Sequence, residues 1–429
     1  MTKTNTLDKM ATGRTSLLAA TALTASFIFP IAADAADNFT IRVTTNGTTG
    51  SATAKTIEEF ADLGLKSSGL DSVNAAYTDT SVATADLNFR GLPMVVTFPD
   101  SGPGLIYSIP ELGFTRAFNA QSTREANGDD LEDYLKNDID GLLSKVLDYL
   151  VSETGTDPVA GNPASLQGTM IAGDFTAGTG LGPGNGSQAS TGDGGGEGRR
   201  NVYGIGARLG QYSVNGNDIT TIDLPLTFVR PLEDPRYALI IDMPLTFVDT
   251  NGSETVAASL GVGMRVPITT RWTLTPMLRA GATGSVDLGS LAALYSGSLS
   301  SSYKFNWGQT EINIGNMLSY ISTTDVSDAI DDYQVDYDLQ NTVSRNGVGF
   351  SGPLSYKLFG AETTWEASVV NTQIFGDAVY IDNYTDMAVS FGTKQSRNGL
   401  TWDAIRIGFT YTVGNNDFQG GRINFGYQF

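Results

Sequence analysis

The chain has 429 residues, a formal charge of -20, and neither His nor Cys. The acidic excess argues against a nucleic-acid partner, and 40 % hydrophobic content is too low for a bundle of membrane helices. Without His or Cys, Ser-His-Asp and Cys-His catalysis are excluded, and the usual zinc ligands and any disulfide framework are missing.

Lys3, Lys9 and Arg14 precede an apolar stretch from Leu17 to Ile31, and Ala33-Asp34-Ala35 supplies a small-x-small cleavage site. This is the pattern of a signal peptide over residues 1–35, addressed to the Sec export machinery. The stretch is short for a membrane anchor, which needs about 20 apolar residues. Residues 36–170 read as a small α+β module. Asn38 to Val43 alternates like a strand, Thr56 to Lys66 like a short helix, and Ala85 to Phe98 and Leu105 to Phe118 like two strands around a Pro-Gly turn. A helix is expected over Asp130 to Val151, with Leu131, Leu135, Ile139, Leu142, Val146 and Leu150 on one face and Asp129 as its cap. Its acidic polar face would be repelled by anionic lipid, which favours packing on the module's own sheet.

From Gly173 to Gly198, eleven of 26 residues are Gly and none is Lys. Such a segment buries too little apolar surface to offset its ordering entropy, so residues 171–199 are expected to be a flexible linker rather than a phosphate loop. Residues 200–429 then alternate strand after strand. Twelve starts are expected, near Asn201, Ile219, Arg236, Glu254, Arg271, Leu291, Thr310, Tyr337, Glu362, Tyr380, Leu400 and Gly420. An even count suits a single-chain transmembrane barrel. The segment Asp223 to Val229 recurs as Asp242 to Val248, which places the two copies in neighbouring strands, each with a proline (Pro225, Pro244) that lacks a ladder hydrogen bond.

On this alternation Arg208, Asp223, Asp242, Arg265, Arg279, Glu311, Glu366, Asp386, Arg406 and Arg422 face the lumen. A charge facing lipid at the midplane would cost about 2–4 kcal/mol. Two uses are open to the inward set: a structural ion-pair network, which is favoured, or opposed charged walls across a pore. Trp272, Trp307, Trp365 and Trp402 fall near strand ends, as interfacial residues do. Asp325, Asp328, Asp331, Asp332, Asp336 and Asp338 form an acidic loop whose spacing lacks the Gly and the Glu of an EF-hand. No metal, cofactor or enzymatic role is expected, and no carboxylate pair stands out as a glycosidase dyad.

The chain closes on Ile423, Phe425, Tyr427 and Phe429 at alternate positions, with Arg422, Asn424, Gly426 and Gln428 between them. This segment resembles the C-terminal sorting signal of Gram-negative outer-membrane proteins. With the order signal, module, linker and barrel, the chain resembles an autotransporter. The resemblance implies the outer membrane, its lipid and the barrel-assembly machinery as partners, and a barrel that helps export the segment before it. The surface ligand is not legible. The short module has no β-helix repeats, and the Gly-rich stretch stands where that family threads a helix through the pore. Two readings follow. In one, the barrel exports or anchors a non-enzymatic module at the surface. In the other, it is a small porin-like or structural barrel whose module stays in the periplasm.

Overall fold

A computed structural model describes residues 37–182, 201–324, 337–358, 360–393 and 405–428. The signal segment, most of the acidic loop, Trp402 and Phe429 lie outside them.

The module is built on β1 (Phe39–Thr45), β2 (Thr48–Ala54), β3 (Ala83–Phe89), β4 (Leu92–Phe98), β5 (Leu105–Ile109) and β6 (Phe114–Phe118), in the antiparallel order β2-β1-β3-β4-β5-β6. Each of the two long strands expected here is a hairpin. The first turns at Arg90 and Gly91, both at positive φ (54° and 101°), and the second at Pro110–Leu112 followed by Gly113 (φ 61°). Alternation runs through a two-residue turn with little visible break, which is why two strands read as one.

Helix α1 (Ile57–Gly64) is capped by Thr56, whose side chain accepts from Glu59 N, and α2 (Ser67–Val73) follows. The single helix expected over 130–151 is two helices, α3 (Arg124–Lys136) and α4 (Leu142–Glu153). The α3 cap is Thr123, not Asp129, and it accepts from Ala126 N. Between the helices, Asp138, Asp140 and Gly141 take left-handed conformations, which Asp tolerates better than most residues. Asp138 accepts from Leu143 N (2.5 Å) and Ser144 N (3.2 Å), so it caps α4 rather than continuing α3. The helices cover the sheet over a core that includes Phe39, Phe60 and Phe89, with ring centroids 5.4–5.6 Å apart.

The second half is a closed twelve-stranded antiparallel barrel. Its strands are β7 (Val202–Val214), β8 (Asn217–Pro231), β9 (Ala238–Thr250), β10 (Ser253–Pro267), β11 (Trp272–Ser285), β12 (Ser290–Trp307), β13 (Thr310–Thr324), β14 (Gln340–Leu358), β15 (Ala361–Gly376), β16 (Asn383–Thr393), β17 (Ile405–Gly414) and β18 (Gln419–Gln428). Each begins within five residues of its expected start. Closure sets Ile423, Phe425 and Tyr427 of β18 opposite Leu209, Ala207 and Ile205 of β7. The repeated segments pair with each other antiparallel. Pro225 stands opposite Pro244, and Asp223 and Asp242 each face a Thr of the other copy.

The Gly-rich stretch is not simply a linker. Its first residues complete helix α5 (Leu166–Thr179), capped by Ser165 and ended by Gly180 in the left-handed region. This helix lies inside the barrel along β9 to β13. Its glycines allow close approach to the wall, where a Cβ on Gly178 would meet Ser300 Cβ at 2.4 Å. Tertiary burial here overrides the low intrinsic helix propensity of glycine.

Candidate functional site

The outer face of the barrel is apolar. Leu209, Leu224, Leu260, Leu278 and Leu318 are all exposed, Leu278 at 73 %. A soluble protein rarely shows so continuous a patch, whereas closed sheets with apolar exteriors suit lipid. Trp272 and Trp307 are exposed where β11 begins and β12 ends, at the end of the barrel that carries its own termini.

The inner face is polar and holds α5 by ion pairs. Asp174 on α5 is buried and accepts from Arg279 Nε (2.7 Å) and Ser298 Oγ (2.9 Å). Arg279 also donates to Asp242 (2.7 Å) and Ser259 (3.0 Å), and Asp242 accepts from Thr227 (2.8 Å). One guanidinium thus ties the helix to three wall strands, β9, β10 and β11. Across the lumen, Arg345 pairs with Asp386 (2.6 Å) and stands over the Phe175 ring of α5 at 5.2 Å. Asp386 also accepts from Thr412 (2.7 Å).

The remaining inward charges mostly meet partners one or two strands away along the wall. Arg406 meets Glu366 (3.1 Å) and Thr364 (2.7 Å). Arg422 reaches Asp223 at 4.0 Å, Glu311 meets Lys304 at 3.5 Å, and Arg208 is opposite Asp223 in register. Arg265 lies on the inward face of β10, half-buried. The basic stretch of β17, β18 and β7 is therefore shared out to acids on either side of it, Glu366 on β15 and Asp223 on β8. Among the described residues, partly open pockets beside α5 include one of about 60 Å³ and one of about 20 Å³, the smaller lined in part by Arg208, Arg345, Asp386 and Arg422. Asp174 and Arg345 were not among the sequence candidates. A Ser followed by an apolar run and a Gly at 165–180 was the available signal for α5, and with it for Asp174.

The module covers the mouth at the end opposite the start of β7 and the end of β18. Asn38 Nδ2 donates to Thr250 O (2.8 Å) and Ser253 Oγ (2.9 Å), and Ile57 N to Asp287 O (2.9 Å). Tyr380 N donates to Val151 O (2.8 Å), and Ile381 N to Gly161 O (3.0 Å). At the centre of this contact, Arg90 pairs with Asp157 at 2.9 Å, both side chains fully buried. Arg90 also donates to Ser290 Oγ (3.1 Å), and the Tyr337 hydroxyl lies 3.2 Å from both Asp157 and Ser290. Module, α5 leader and barrel rim share one polar knot. From there α5 runs down the lumen: Leu166 packs by Gly281, Gly173 by Arg279, and Thr179 O accepts from Asn313 Nδ2 (2.8 Å) nearer the other end.

No family model matches the chain. No curated protein matches it either. Among solved structures, the β domain of the Bordetella autotransporter Brka aligns at 13 % identity and a TM-score of 0.41, over 53 % of this chain and 98 % of that one. The translocator domain of the autotransporter NalP from Neisseria meningitidis aligns at 11 % and 0.40, over 53 % and 88 %. An outer membrane channel from Pseudomonas putida F1 aligns at 14 % and 0.38, over 56 % and 99 %. The closed twelve-stranded antiparallel barrel is established by the chain's own strand pairing. Nothing about substrate or activity transfers at this level of similarity.

Proposed function

We propose that the protein is an autotransporter-like barrel of the outer membrane that carries its own non-enzymatic module to the cell surface and holds it there. One observation carries the reading: the module and the barrel's termini are at opposite ends, joined by a helix through the lumen. A barrel with an even number of strands keeps both of its termini on one side, and its assembly from the periplasm puts that side inward. The module is then outside, and α5 is the path by which the chain returned. The alternative, with the module beside the barrel termini, would leave the lumen free of α5 and the rim free of the Arg90–Asp157 knot. A filled lumen favours anchoring over conduction.

Thr115 on β6 is exposed, and the chain has no cysteine of its own. Thr115→Cys is expected to react with a membrane-impermeant maleimide on intact cells. Labelling only after the outer membrane is opened would overturn the surface assignment.

A further inference from the structure

The lipid-facing side of the barrel changes character around its circumference. At the middle of β7, β8, β10 and β11 the outward residues are Leu209, Leu224, Leu260 and Leu278. On β13, β14 and β15 the outward residues near the middle are Asn316, Asn346 and Asn371, directly opposite one another across the three strands. Asn316 stands between the exposed Ile314 and Leu318, which fixes the row on the outer face. Ser344, Gln373 and Thr385 border it.

Register gives the height of the row. Followed one way it runs through Ser301 and Leu274 to Val266, beside the β10–β11 turn at the end with the barrel's termini. Followed the other way it passes Thr385 and Val413 to Gln419, beside the β17–β18 turn at the module end. Because strands tilt in a barrel, such a row climbs steadily from one rim to the other. Asn346 on β14 is its midpoint, half-way up the wall.

Amides at that depth have no water to bond. Within the row, Asn316 Nδ2 donates to Asn346 Oδ1 (2.7 Å), Asn346 Nδ2 to Ser344 Oγ (3.0 Å), and Asn371 Nδ2 to Asn383 Oδ1 (2.9 Å) and Thr385 Oγ1 (3.0 Å). An Asn side chain offers two donor hydrogens and two acceptor lone pairs, so these bonds use only part of what the row can make. Lipid tails supply no partner for the rest. Another protein surface does, and the chemistry selects which: the row is uncharged and both donates and accepts. It is therefore complementary to itself, as a two-fold contact between identical surfaces requires. We propose that Asn316, Asn346 and Asn371 form the centre of a contact between two copies of this chain within the membrane, the two β14 strands facing each other.

This inference rests on the membrane reading above, and its test separates the two. In a chain without native cysteine, Asn346→Cys and, as control, Leu260→Cys are expressed, and isolated outer membranes are mildly oxidised. A reducible product of twice the chain's mass is expected for Asn346→Cys and not for Leu260→Cys. The triple variant Asn316→Leu, Asn346→Leu, Asn371→Leu is expected to keep a folded barrel, judged by its heat-dependent electrophoretic shift, and to lower dimer yield at least tenfold on bifunctional lysine cross-linking. Folded Asn346→Cys, Asn316→Cys and Asn371→Cys barrels that all stay at single-chain mass would overturn the proposal, as would cross-linking to a product of another mass. Absence of the barrel from the outer-membrane fraction would instead count against the membrane reading.

Discussion

The two sheets of this protein alternate with the same period and in opposite senses. In β1 the buried positions are Phe39, Ile41, Val43 and the terminal Thr45, and Arg42 is exposed. In β11 the buried positions include Thr275, Arg279 and Thr283, and Leu278 is exposed. The module hides apolar side chains from water. The barrel hides polar side chains from lipid and packs them against a helix that brings its own carboxylate. Period two sets which residues share a face, but the solvent sets which face turns inward. The contact between the two regions is mixed: a loop and a barrel rim meet there with backbone groups that need partners, and Ile57 packs beside Gly289 in an apolar cluster that includes Leu288 and Val379.

Four tests break or sharpen this contrast. The largest effect is expected at the lumenal tie. Asp174→Leu leaves Arg279 buried with one carboxylate fewer, and removal of one partner from a buried pair costs about 3–5 kcal/mol. The helix should loosen, seen as a lower thermal midpoint and as conductance in planar bilayers where the parent is closed. The pair Asp174→Leu with Arg279→Met should recover much of that loss, and failure to recover would mean that the charges do more than hold the helix.

The sense of alternation is tested next. Leu278→Arg places a charge on the lipid face and should destabilise folding into bilayers by about 2–4 kcal/mol. Arg42→Leu on the module's outer sheet face should stay within about 0.5 kcal/mol. Comparable costs for both would mean that the two regions share one solvent.

A smaller effect is expected at the cap of α1, where Thr56→Ala should cost the module about 1 kcal/mol in denaturant unfolding. The smallest concerns pH. Burial pushes the Glu132 carboxyl up, but hydrogen bonds from Lys136 and Lys66 outweigh it and hold it below its ordinary value. A folded pKa below the unfolded one contributes stability above pH 4.5, and that contribution is lost as pH falls through the folded value. Glu132→Gln should therefore flatten the acid limb of the module's stability, by the few tenths of a kcal/mol usual for ion pairs near the surface, and leave the barrel's limb unchanged.

What was legible tracks how local the signal is. The twelve barrel strands could be located because each carries its own alternation, and the inward position of Arg279 or Asp386 follows from counting by twos. Helix α5 was misread because its surroundings are a polar lumen. Its small residues Gly173 and Gly178 fit the approaching wall, and Gly168 the Asn162–Pro163 loop, rather than form an apolar stripe, so no helical period shows in them. Asp174 was lost with it, and the acid that Arg279 grips first could not be named. The two helices α3 and α4 merged in the sequence because the apolar spacing continues across a break that the left-handed Asp138 and Asp140 create.

The sequence by itself determined the class of each half, the barrel's strand positions and the set of inward charges, since all of these rest on short-range periodicity. Only the tertiary structure decided that the lumen is filled, which acid meets which arginine, and that the module covers the rim opposite the barrel's termini. Those are relations between segments up to about two hundred residues apart, such as Arg90 and Ser290. Their geometry follows from closing the sheet and packing the chain through it, which no local pattern encodes.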